Sequence, residues 1–316
     1  MSKKFFIIGI QCVFLLCPIL WLMFKVDYKS VGEVFKLFSL SLILFLAILL
    51  FVRFILQSIR FWSLITPFTD KISMLQFILL DWKARYYAII MPSSAGQDIT
   101  RAVLLKNHLS MGEILAISVF FRATGVIMLV FISIFGFFRL YSEQGVSTAI
   151  IFVGFVFLVT CAILAMFFSE KTTKKLFSIL PKKTPRKVID FLESSSQAIL
   201  LYKKYPKLIV FNLFFSFVLH FMWIFFLIIS IYAICGEFKF IETITFIPPI
   251  EILVSAIPFA PSGVGIREGL MILFFNAINL TKEQAFSYIT LSIMLYLIPF
   301  LGIFVILFDK IFNRKS

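Results

Sequence analysis

Charge is scarce in this chain of 316 residues, of which only 15% are Asp, Glu, Lys or Arg, against about 25% in an ordinary globular domain. Histidine is scarcer still: His108 and His220 are the only two, too few and too far apart for a metal site, so no metal and no cofactor is expected. The four cysteines, Cys12, Cys17, Cys161 and Cys235, lie inside apolar stretches. They have neither the spacing of a zinc site nor a disulfide framework and read as small apolar packing residues. There is no phosphate-binding loop for ATP and no local Ser/His/Asp signature. Heptads and low-complexity tracts are also absent. Lys3 and Lys4 precede an apolar run over 5–24, but no Ala-x-Ala cleavage site follows, so this run is expected to stay as an uncleaved first helix.

Apolar residues are abundant. They make up 61% of the chain, with 43 Phe and a mean hydropathy of +1.04. A soluble fold of this size leaves too much surface in water to hide them, so lipid must be the solvent for most of the chain. The formal charge of +14 sits in a few connecting segments between long uncharged runs. That is the positive-inside pattern of a polytopic membrane protein rather than the basic face of a nucleic-acid-binding domain.

Six stretches are long enough to span a bilayer, roughly 5–24, 37–56, 112–138, 146–168, 208–235 and 284–308. Two more, 72–108 and 243–279, are apolar but interrupted by Pro, Gly and charge. Each predicts two short helices around a loop, a re-entrant hairpin whose irregular backbone must be buried in protein or line a wet cavity. The expected fold is one all-α domain over 1–316, a membrane bundle of about six spans and two broken hairpins. With the N-terminus in the cytoplasm, segments 1–4, 53–111, 169–207 and 309–316 hold most of the 30 basic residues, which places both termini and the basic loop 169–207 inside. That loop obeys the positive-inside rule and could also lie on anionic headgroups.

The interrupted segments carry the candidate functional residues. In the first, Asp81 and Arg85 stand at i and i+4, a favourable helical ion pair. Pro92 stops that helix, and Ser94 with Gln97 fits a capping box opening a second one near Ala95. Its first turn, containing Gly96 and Asp98, offers free N–H groups to an anion, and Arg101 is placed to clamp a phosphate. In the second, Pro258, Pro261, Gly263 and Gly265 interrupt the helix. Glu251 lies on the incoming limb, and Arg267 and Glu268 follow the break. Charges at membrane depth normally face a partner or a wet path; here they are a structural Glu–Arg pair or a substrate contact. Pro92-Ser93-x-x-Gly96-x-Asp98 parallels Pro261-Ser262-x-x-Gly265-x-Arg267, and three crossings between them would make an inverted repeat. Arg122 belongs to a stripe with Ser118, Gly125, Leu129 and Ser133 that should face the bundle and meet Asp98, Glu251 or a lipid phosphate.

Met91-Pro92-Ser93-Ser94-Ala95-Gly96-Gln97-Asp98-Ile99-Thr100-Arg101, Ser118-Val119-Phe120-Phe121-Arg122-Ala123-Thr124-Gly125 and Pro258-Phe259-Ala260-Pro261-Ser262-Gly263-Val264-Gly265-Ile266-Arg267-Glu268 resemble successive motifs of the lysylphosphatidylglycerol synthase transmembrane-region family. That family includes the flippase-like half of the multiple peptide resistance factor. The resemblance covers nearly the whole chain, and Gln97 departs from it where the family carries Gly or Glu. It implies a bacterial inner membrane and the handling of an anionic or glycosylated lipid, phospholipid or polyprenyl-linked. It does not imply lysine transfer, which belongs to a separate soluble domain. The implied substrate-binding set is Arg85, Pro92, Ser93, Gly96, Asp98, Arg101, Arg122, Glu251, Pro261, Gly263, Gly265, Arg267 and Glu268, with no catalytic and no metal-binding residue. Membrane lipids with an anionic headgroup are the expected partners, nucleic acid is not, and a homo-oligomer is left open. The leading expectation is a lipid flippase or transporter. The alternative is a membrane glycosyltransferase or other transferase using a polyprenyl-phosphate-linked donor, with Asp98, Glu251 or Glu268 as base.

Overall fold

A computed structural model describes residues 36–90, 96–144, 200–256, 266–295 and 298–312, with a few isolated positions between them. Cys12, Cys17 and Cys161, the expected span 5–24, nearly all of 146–168 and the basic loop before residue 197 lie outside the described residues.

Among the described residues all regular structure is helical. In chain order the helices are α1 (Leu40–Ile65), α2 (Met74–Ile90), α3 (Gly96–Leu105), α4 (Met111–Gln144), α5 (Pro206–Cys235), α6 (Phe240–Ala256), α7 (Ile266–Ala277), α8 (Lys282–Leu295) and α9 (Gly302–Phe312). The expected all-α membrane bundle is what the chain forms. Leu40–Ile65, Met111–Gly136 and Pro206–Cys235 are each long and apolar enough to cross a membrane, since about 20 residues suffice.

Local chemistry sets the ends. Ser39 caps α1 by accepting from Leu42 N–H at 3.3 Å. Ser73 with Gln76, Ser110 with Glu113, and Thr281 with Gln284 form reciprocal capping boxes before α2, α4 and α8. Pro206 opens α5, where its missing N–H costs nothing, and Gly236 closes it in the left-handed region at φ 74°.

Both interrupted segments fold as helix pairs, α2–α3 and α6–α7. These helices are 17, 10, 17 and 12 residues long, shorter than the about 20 residues that a span typically takes. The breaks at 91–95 and 257–265, and with them Pro92, Ser93, Ser94, Pro258, Pro261, Gly263 and Gly265, lie outside the described residues.

Two boundaries differ from expectation. The helix expected over 37–56 runs on to Ile65. Arg53 and Arg60 therefore belong to α1. Charge did not end the helix because both guanidiniums find acceptors inside the bundle. The stretch 284–308, expected as one span, is divided into α8, a short 3-10 turn (Ile298–Leu301) and α9. Pro299, inside that turn, cannot donate the helical hydrogen bond and clashes with the preceding turn.

Lipid tails are as apolar as leucine, so helices in a bilayer associate through close contact and small residues rather than through the hydrophobic effect. Gly136 shows this between α4 and α6: a Cβ there would lie 2.8 Å from Thr245 Cα. Two apolar clusters result. One gathers Phe61 and Leu64 of α1, Phe77 of α2, Leu105 of α3, Phe120 of α4 and Tyr202. The other gathers Leu46 and Leu50 of α1, Ile132 of α4, and the facing sides of α5, α6, α7 and α8. Between them runs a band of buried polar residues that includes Ser58 and Arg60 in the second half of α1, Thr124 of α4, and Asn212 and Ser216 in the first half of α5.

Gly136→Val should therefore push α4 from α6 and lower stability by about 1–3 kcal/mol, as overpacking does. Gly269→Ala, whose Cβ meets nothing within 4 Å, should be tolerated. Thermal unfolding in detergent checks both; equal midpoints for the two variants would show that the α4–α6 contact is not tight.

Candidate functional site

The polar band contains a chain of alternating charges. Its hub is Asp81 on α2, fully buried. Oδ2 of Asp81 accepts from Ser58 Oγ at 2.6 Å, Arg85 Nη2 at 2.9 Å and Arg85 Nε at 3.2 Å. Its Oδ1 accepts from Arg101 Nε at 2.7 Å and Gln97 Nε2 at 3.1 Å. The Asp81–Arg85 pair is thus the expected i,i+4 pair, but the carboxylate also staples α2 to α3. Arg101 continues outward, donating from Nη1 to Asp98 Oδ1 at 3.1 Å. Asp98 then receives Arg122 of α4 on Oδ2, from Nη2 at 2.5 Å and Nε at 3.1 Å. The chain Arg85–Asp81–Arg101–Asp98–Arg122 runs from full burial to partial exposure, with Asp98 19% and Arg122 43% exposed.

Arg101 is 2% exposed, and its Nη2 has no hydrogen-bond acceptor among the described residues. Its guanidinium lies 4.0 Å from the ring centre of Phe61. Arg85 similarly sits 4.9 Å from the Phe54 ring. Ring faces carry partial negative charge and stabilise a cation removed from water.

A second cluster lies on α6–α7. Arg267 grips Glu251 in two-point fashion, Nε to Oε1 and Nη2 to Oε2, both at 3.1 Å. Trp223 of α5 donates its indole N–H to Glu251 Oε1 at 3.1 Å. The Trp223 ring has Arg53 at 5.5 Å and Arg267 at 5.9 Å. Gln57, one turn along α1 from Arg53, accepts from Arg85 Nη1 at 3.3 Å. One face of α1 therefore joins the two clusters. The staples are alike: Gln97→Asp81 joins α3 to α2 and Arg267→Glu251 joins α7 to α6, each between residues 16 apart.

A third group is Arg60, 3% exposed. It donates to Asn212 Oδ1 at 2.9 Å, Phe121 O at 2.6 Å and Thr124 Oγ1 at 2.7 Å, and lies 4.0 Å from the Phe121 ring centre. All of these partners are neutral.

Of the residues singled out from sequence, Arg85, Asp98, Arg101 and Arg122 come together at one end of the band, with Gly96 buried at the start of α3. Glu251 and Arg267 meet at the other, and Glu268 is buried on α7 at 2% exposure. Of the acceptors open to Arg122, Asp98 is one it reaches. Its stripe does face the bundle, with Ser118, Leu129 and Ser133 buried. Sequence reasoning missed Asp81 as a hub and missed Arg53, Gln57, Arg60, Asn212 and Trp223. Arg53, Gln57 and Arg60 follow helical spacing in an otherwise apolar helix, as do Asn212, Ser216 and His220, and that periodicity is the signal that could have found them. Trp223, one aromatic among many, carries no such signal. No group of three or more His, Cys, Asp or Glu able to hold a metal occurs among the described residues.

Apolar spanning helices enclosing buried guanidinium–carboxylate clusters define a membrane protein with a polar interior. A family model for the lysylphosphatidylglycerol synthase TM region matches residues 7–303, and the chain belongs to that family. This ties it to membrane lipid metabolism. Neither a search of curated proteins nor one of solved structures finds a match.

The hub sets an expectation for stability. Asp81→Asn leaves Arg85 buried without its anion and Arg101 with Asp98 alone, and should lower stability by about 3–5 kcal/mol. Arg122→Ala breaks a half-exposed pair and should cost about 1 kcal/mol or less. Thermal midpoints in detergent measure both, and equal losses would remove Asp81 from the centre of the network.

Proposed function

We propose that this protein translocates an anionic lipid, its headgroup passing along Asp98, Arg101, Arg122, Arg267 and Glu268 between the two helix pairs. The supporting observation is an excess of guanidinium over carboxylate in the polar band. The band holds Arg53, Arg60, Arg85, Arg101, Arg122 and Arg267 against Asp81, Asp98, Glu251 and Glu268, and the acceptors of Arg60 are all neutral. Each charge at the bilayer centre costs about 2.5–3.5 kcal/mol on insertion scales. An anionic headgroup entering the band offsets the surplus, whereas a cationic one adds to it. The pairs of short helices α2–α3 and α6–α7 resemble the discontinuous helices between which transporters often place their site. A bacterial inner membrane, with the termini in the cytoplasm, accords with the distribution of lysine and arginine.

The transferase alternative wants a carboxylate with free lone pairs facing a bound donor. Both oxygens of Asp98 and of Glu251 accept from guanidiniums, which favours transport.

In proteoliposomes, Arg122→Ala should slow translocation of fluorescent phosphatidylglycerol at least about tenfold, equivalent to ~1.4 kcal/mol on the barrier, while the protein stays folded. A wild-type rate in that variant overturns the proposed path. A labelled product formed from polyprenyl-phosphate sugar, without lipid redistribution, would favour the transferase.

A further inference from the structure

Asp98 and Asp81 both accept from arginine, but they are held differently. Asp81 is fully buried and takes bonds from Ser58, Arg85, Gln97 and Arg101. Asp98 is 19% exposed and accepts from the guanidiniums of Arg101 and Arg122. It stands in the first turn of the ten-residue helix α3, where the helix dipole favours negative charge. The surroundings of Asp98 are thus those of a bound anion. Beside it, Arg101 Nη2 is a buried donor with no acceptor among the described residues.

We propose that the Asp98 carboxylate is a resident anion, holding this seat until the phosphodiester of a substrate lipid replaces it on Arg122 and on the idle Nη2 of Arg101. The inference rests on the transport reading and deepens it. A seat of two guanidiniums left empty in a low-dielectric interior is self-repelling, and uncompensated buried charge is strongly destabilising. Asp98 prevents that between turnovers. Its link to Arg122 joins α3 to α4 and lies at the more exposed end of the chain, so it can open without disturbing the Asp81 hub. A phosphodiester offers two non-bridging oxygens with the fork geometry that a carboxylate offers arginine. Arg85, Arg101 and Arg122 outnumber Asp81 and Asp98 in this chain of contacts, so the negative charge of a phosphodiester is accommodated.

The test is calorimetric titration of the full chain in detergent micelles with short-chain phosphatidylglycerol, with phosphatidylcholine of the same chain length and inorganic phosphate as comparators. Removing the competing carboxylate in Asp98→Asn should tighten phosphatidylglycerol binding about five- to tenfold. Asp98→Glu keeps the charge and should bind no tighter than wild type. If wild type shows no preference for phosphatidylglycerol over phosphatidylcholine, the transport reading itself fails. If wild type has the preference but Asp98→Asn binds no tighter, or Asp98→Glu binds tighter, the resident-anion role is overturned and the transport reading stands. An equal gain for inorganic phosphate in Asp98→Asn would assign the seat to a free anion and overturn its assignment to a lipid headgroup.

Discussion

Two guanidiniums, from Arg85 and Arg101, converge on one carboxylate that water does not reach, and this contact at Asp81 fixes the geometry around it. Burying any of the three alone in an apolar bundle would cost several kcal/mol. Together they are affordable because Ser58 and Gln97 fill the remaining acceptor positions on the same carboxylate. The consequence is mechanical as well as electrostatic. The short helices α2 and α3 are held against one another by Arg101 and Gln97 on Asp81, and Ser58 ties α2 to the long helix α1.

The second helix pair repeats the device with different residues. Glu251 takes the place of the acid on the first limb, and Arg267 reaches back from the second. Trp223 both donates to the acid and offers its face to cations. Because Arg53 and Gln57 stand one turn apart on α1, the two staples share a wall. Aromatic rings recur beside buried arginines throughout, at Phe54, Phe61, Phe121 and Trp223. They allow more guanidinium than carboxylate to be held away from water, the imbalance from which the transport proposal is argued.

Gln97 shows how one position serves this arrangement. Its amide nitrogen donates to Asp81 at 3.1 Å. A carboxylate at the same place would set oxygen against oxygen beside an anion already committed to two arginines. The departure from the family pattern at Gln97 thus has a local reason in this chain: a donor is wanted there.

Sequence alone determined that lipid is the solvent, that the fold is helical, and that separate short helices lie on either side of 91–95 and 257–265. Those properties follow from composition and from what proline and glycine do to the backbone nearby. It also supplied Arg85, Asp98, Arg101, Arg122, Glu251 and Arg267 as charges that lipid would not tolerate unpaired. The pairings themselves required the tertiary structure. Asp81 meets Arg101 across 20 residues, and Arg60 meets Asn212 across 152. No spacing rule reaches that far, because such contacts depend on how separate helices are laid against one another. The extent of α1 was decided in the same way: a charged residue reads as the end of a span until a neighbouring helix supplies its acceptor.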